Sequence, residues 1–113
     1  MLKWDKNKTK GEVLNDLKVI FDKYGITDVS TTNTLFWENG DIEHFFIDST
    51  DSVLVKNLED DLTDYYFDLD EFPDGCCAAI VYGMDTQSNI DLHNFHTRRG
   101  RVFPILNNGK WVV

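Results

Sequence analysis

The sequence predicts an α+β protein: one long N-terminal helix and a second, acidic helix packed on an antiparallel sheet of about five or six strands. Three observations predict it. Residues 9–24 repeat apolar side chains at helical spacing, residues 77–84 form a near-continuous apolar run, and Asn-Gly pairs at 39–40 and 108–109 mark hairpin turns.

Taking the elements in order, Val13, Leu17, Ile20, Phe21 and Tyr24 lie on one helical face. Thr9 with Glu12 makes a capping-box pattern at its start, and Gly25 supplies the C′ stop. TLFWE and DIEHFFID flank Asn39-Gly40, which predicts a hairpin over residues 33–49 with Trp37 across from Ile42 and Glu38 across from Asp41. Val53–Lys56 reads as a third short strand. Residues 57–71 fit two patterns. Leu58, Leu62, Tyr65, Tyr66 and Leu69 make a helical stripe behind an Asn57 cap, while Tyr65, Phe67 and Leu69 alternate as in a strand; the helix is the preferred reading. Phe72–Gly75 is a turn, and CAAIVYGM is expected to be a buried central strand. Ile90–Thr97 and Arg101–Leu106 read as strands joined around Arg99-Gly100. Pro104 makes the second of them an edge or bulged strand, and Asn108-Gly109 turns the chain back through Trp111.

The 113 residues suffice for a single domain, residues 1–113, and are too few for two separate cores. Cys76 and Cys77 are adjacent, so they close no useful loop; they read as buried thiols in a reducing compartment. No apolar run approaches the ~20 residues of a membrane span. The N-terminal lysines lack an apolar stretch behind them, so the expectation is a cytoplasmic protein, intact from Met1, with its basic N-terminal arm frayed.

Charge is distributed unevenly. Residues 1–27 carry net +2, residues 28–91 net −15, and residues 92–113 net +4, within an overall −9. The negative centre peaks in NLEDDLTDYYFDLDEFPDG, residues 57–75, which holds eight carboxylates and no basic residue. Asp60, Asp64, Asp68 and Glu71 share one face of a helix there; in a strand, Asp64, Asp68 and Asp70 share one. Early acids gain from the helix dipole, but the later ones do not. A solvated face needs less charge than this, since a net charge of about 2–8 keeps a small domain soluble. The excess favours a docking surface for a cationic partner, anchored by a neighbouring aromatic. Its expected residues are Asp60, Asp64, Tyr66, Asp68, Asp70 and Glu71, extended by Glu38, Asp41 and Glu43 from the first hairpin.

Catalytic signatures are weak. His93, His96 and Arg98 in DLHNFHTRRGR could cleave RNA by general acid/base chemistry, but on a strand the two histidines point to opposite faces. Zinc would need three ligands from His44, His93, His96, Cys76 and Cys77, and no CxxC or HxxxH spacing exists. DLDEFPDG lacks the ligand alternation of a calcium loop. No cofactor or metal is expected, and the acidic centre disfavours direct nucleic-acid binding.

In size, acidity, lack of a signal and the acidic-aromatic segment Asp60–Glu71, the chain resembles bacterial immunity proteins. These neutralise polymorphic or contact-dependent growth-inhibition toxins. The resemblance covers the chain as a profile. It implies a non-enzymatic inhibitor that binds a basic toxin catalytic domain, a nuclease, in the cytoplasm and occludes its substrate cleft. In profile the chain is equally similar to phage DNA mimics and anti-CRISPR inhibitors. A small nuclease using His93, His96 and Arg98 is the remaining alternative.

Overall fold

Helix α1 spans Lys10–Lys23 in a computed structural model that describes residues 2–5, 7–32, 43–66 and 79–112. Its start is the expected capping box: the Thr9 hydroxyl accepts from the Glu12 N–H, and the Glu12 carboxylate accepts from the Thr9 N–H. It ends at Gly25, whose φ of +68° suits a residue without a Cβ. Val13, Leu17, Ile20 and Phe21 are buried.

The chain continues through β1 (Val29–Thr31), β2 (Glu43–Ile47), α2 (Ser52–Tyr66), β3 (Ala79–Tyr82), α3 (Gln87–Arg98), β4 (Phe103–Asn107) and β5 (Lys110–Trp111). The fold is α+β, as expected, but the sheet is mixed. Its order is β3-β2-β1-β4-β5, with β2 and β3 parallel and the other pairs antiparallel. The parallel pair follows from α2, which crosses between its strands and returns the chain to the same end of the sheet.

Several expectations change. Val53–Lys56 is the first turn of α2, capped by Asp51 rather than Asn57: the Asp51 carboxylate accepts from the N–H groups of Val53 and Leu54 at 3.0 and 3.2 Å. Two valines suggested a strand, but the buried stripe Val55, Leu58, Leu62, Tyr65 and Tyr66 is helical and overrides that propensity. Ile90–Thr97 is likewise helix α3, with the Thr86 hydroxyl accepting from the Asn89 N–H and Gly100 at φ +66° ending it. The apolar run ending in β3 lies at the edge of the described sheet, not at its centre. Its exposed backbone is partly covered by α2, since the Glu59 carboxylate accepts from the Val81 N–H at 3.0 Å.

The Asn39-Gly40 turn and the vicinal cysteines lie outside the described residues. The described part of the first hairpin pairs Thr31 with Phe45, whereas an uninterrupted hairpin closed by a two-residue turn at 39–40 would place Thr31 opposite Asp48. The second hairpin is as expected, with Asn108 and Gly109 at φ +50° and +77°. Pro104 sits at a bulge: Val29 pairs with Leu106 but Ser30 with Pro104, leaving Ile105 extra.

One face of the sheet packs on α1 and α2. Phe21 meets Phe45 and Trp111 edge-on, with ring centroids 5.8 and 6.5 Å apart. Trp4 joins this core at 5% exposure, and its N–H donates to the Tyr65 carbonyl at 2.8 Å. The N-terminal arm is therefore not frayed; it caps the C-terminal end of α2. Beside it, Tyr65 donates its hydroxyl to Asp16 at 2.9 Å, and Lys8 pairs with the same carboxylate.

Gly83 marks a close approach between the end of β3 and α2. A Cβ there would collide with Val55 Cγ2 and lie 2.8 Å from the Ser49 carbonyl. Gly83→Ala should lower stability by about 1–3 kcal/mol, the usual cost of overpacking. Urea unfolding checks this, and a loss within about 0.5 kcal/mol, the range of an ordinary surface substitution, would contradict the close approach.

Candidate functional site

Helix α2 sorts its acids by position. Asp61 turns toward α1, accepting from the Lys23 ammonium at 2.8 Å and the Tyr24 hydroxyl at 2.5 Å. The Lys23 and Tyr24 hydrogen bonds hold its carboxyl below the ordinary carboxylate range. Glu59 turns toward β3. Both are structural.

Asp60 and Asp64 are different. They lie one turn apart on the outer face of α2, and both are exposed. Asp60 pairs with Lys56 at 3.1 Å in an exposed contact that salt screens readily. The Asp64 carboxylate has no partner among the described residues, although its backbone carbonyl accepts from Lys3 Nζ at 2.5 Å. Val53, 71% exposed, continues the same face one turn before Lys56 and Asn57. The result is an acidic strip bordered by two lysines, with an apolar contact at its N-terminal end.

Tyr66 does not belong to this strip. It is 5% exposed, and its ring packs edge-on against Tyr65 at 5.0 Å. Asp68, Asp70, Glu71, Glu38 and Asp41 lie outside the described residues, and Glu43 is described only in its backbone, as the first residue of β2. Among the described residues no ion pair joins Arg98, Arg99 or Arg101 to α2. Arg99 instead lies over the exposed ring of Phe95, 4.2 Å from its centroid. The basic end of the chain thus leaves Asp60 and Asp64 uncovered.

The second feature is the sheet face opposite α1 and α2. Period-two alternation puts Pro104, Ser30, Phe46 and Tyr82 on it as one cross-strand row. Helix α3 covers only part of this row. Because it is a helix, His93 and His96 share a face, contrary to the strand expectation, and both rings rest on Phe46 with centroids 5.4 and 6.3 Å away. His44 joins them, its Nδ1 3.3 Å from the Tyr82 hydroxyl. The His96 Nδ1 is buried and has no hydrogen-bond partner among the described residues. Arg98 is exposed, away from this aromatic packing. Among the described residues, no group of three or more His, Cys, Asp or Glu side chains is arranged to hold a metal ion.

Burial, reinforced by His96, lowers the His44 pKa below its ordinary value. The folded state therefore keeps His44 neutral where the unfolded chain binds a proton. Stability is full above the unfolded value of about 6.5 and declines as pH falls through it. This loss should begin well above the acid range in which Asp61 protonates. Unfolding curves between about pH 7 and 5 check it; His44→Gln should flatten that limb, and an unchanged slope would contradict the assignment.

Beyond the reach of α3, the same sheet face opens into a groove of about 340 Å³. Ser30, Phe46 and Pro104 line it, with His93 on the α3 side and Asp28 and Asp48 flanking the Val29–Ile47 pair. The juxtaposition of Asp60 and Asp64 is readable from helical spacing alone. The groove needed strand parity across three strands, so only the correct register reveals it.

No helix among the described residues is long and apolar enough to cross a membrane. No family model matches the chain, and no curated protein or solved structure matches it either.

Proposed function

We propose that this protein is a non-enzymatic inhibitor, an immunity protein that binds the cationic catalytic domain of a toxin, a nuclease, in the cytoplasm and occludes its substrate cleft. The observation that supports this reading is the outward presentation of Asp60 and Asp64 on α2, with the Asp64 carboxylate unpartnered among the described residues. Carboxylates placed this way raise the encounter rate with a basic surface and pair with it after docking. Val53 supplies apolar contact where the sequence had pointed to Tyr66. Asp68, Asp70 and Glu71 follow α2 in the chain and extend the proposed surface in sequence.

Affinity capture from the source cells tests the proposal. One stoichiometric basic protein, eluting at high salt, is the expected result. A range of nucleic-acid-binding proteins displaced by duplex DNA would favour a DNA mimic instead. Nucleic-acid cleavage by the purified chain, lost in His93→Ala, would overturn the non-enzymatic reading.

A further inference from the structure

The geometry points to a second site: the groove between α3 and the uncovered half of the sheet seats a lysine or arginine side chain of a basic protein. It lies on the face of the sheet opposite the one covered by α2, so it is separate from the surface proposed around Asp60 and Asp64 and does not rest on it.

The groove has the two parts such a side chain needs. Phe46 and Pro104 offer an apolar surface for the methylene stem. Asp28 and Asp48 offer two carboxylates to the charged head. Asp28 is held in place, accepting from the Asn108 N–H at 3.2 Å and the Thr27 hydroxyl at 2.8 Å, which leaves lone pairs on both oxygens. The Asp48 carboxylate is exposed and has no partner among the described residues. Carried one residue past Val29↔Ile47, the antiparallel register sets Asp28 across from Asp48, where like charges are unfavourable and a cation beside them relieves the repulsion. The volume of about 340 Å³ lies at the small end of the range for binding clefts, about 300–1,000 Å³, so it suits one inserted side chain rather than a helix. Charge complementarity selects the occupant: a neutral apolar side chain would leave both carboxylates without a counter-charge, and an acidic one would add to the repulsion.

The test needs no partner protein. The probe is N-acetyl-lysine methylamide, titrated into the full-length chain and followed by amide and imidazole NMR shifts. Saturable shifts centred on Ser30, Asp48 and His93 are expected, weakened about tenfold by Asp48→Asn and by replacing the probe with its uncharged norleucine analogue. Asp48 is exposed, so its substitution leaves the fold intact; Asp28→Asn gives a second, independent variant. Shifts scattered over the acidic surface, equal binding of norleucine, or indifference to both variants would overturn the proposal. So would a concentration-dependent dimer with its contacts in the groove, since a second copy would then be the occupant. A groove that takes no lysine leaves the α2 proposal standing, and a groove that takes lysine survives a failed partner capture.

Discussion

Trp4→Ala should destabilise the protein by about 3–5 kcal/mol, the usual loss for an indole removed from a packed core. The substitution lies in a lysine-rich arm that the sequence marks as solvent-exposed, yet Trp4 is 5% exposed and belongs to the main core. Two further contacts fix the arm: the Trp4 backbone N–H to the Tyr65 carbonyl at 2.8 Å, and Lys3 Nζ to the Asp64 carbonyl at 2.5 Å. These satisfy carbonyls that the end of a helix otherwise leaves to water. Losing the indole opens a cavity and removes the anchor that holds the arm's backbone against the last turn of α2. Leu2→Ala is the control, because Leu2 is exposed and its truncation should stay within about 0.5 kcal/mol. Equilibrium urea unfolding measures both. A Trp4→Ala loss below about 1 kcal/mol would show that the arm is not part of the core.

The arm illustrates what local sequence signals carry. Thr9, Glu12 and Gly25 state the ends of α1 because capping depends on near neighbours. Asn108-Gly109 states its hairpin for the same reason. Trp4 gives no such sign, since its burial depends on Tyr65, sixty-one residues away. The parallel pairing of β2 with β3 is equally non-local. Helix α3 was obscured by weak amphipathicity: none of its residues is fully buried, so its apolar pattern resembles strand alternation. Its signals were Thr86 and Gly100, which bound it at both ends. For the site, spacing placed Asp60 and Asp64 together correctly because both the expected and the observed element is helical. Tyr66, expected at the surface, falls in the same stripe as Leu58, Leu62 and Tyr65, and that stripe marks it as core-facing.

Reversing Asp60 and Asp64 to lysine should slow association with the captured basic partner by about 10- to 1,000-fold at low ionic strength. Both side chains are exposed and make no contact that the core needs, so the double variant should keep its circular dichroism and unfolding midpoint. Asp61 is deliberately spared, because its bonds to Lys23 and Tyr24 tie α2 to α1. A matched control separates local charge from net charge. Asp22 and Asp91 are also exposed, on α1 and α3, and reversing both changes the overall charge equally. The control should slow association far less than the α2 pair. Equal effects would show that the partner senses only total charge and that the α2 face has no special role.

The central claim, that outward carboxylates on α2 meet a positively charged protein, is tested most directly by the salt dependence of wild-type association. Stopped-flow rates should fall steeply between about 0.01 and 1 M salt, as the screening length shrinks from about 30 to 3 Å, while dissociation changes less. An association rate that stays flat across that range would contradict the account.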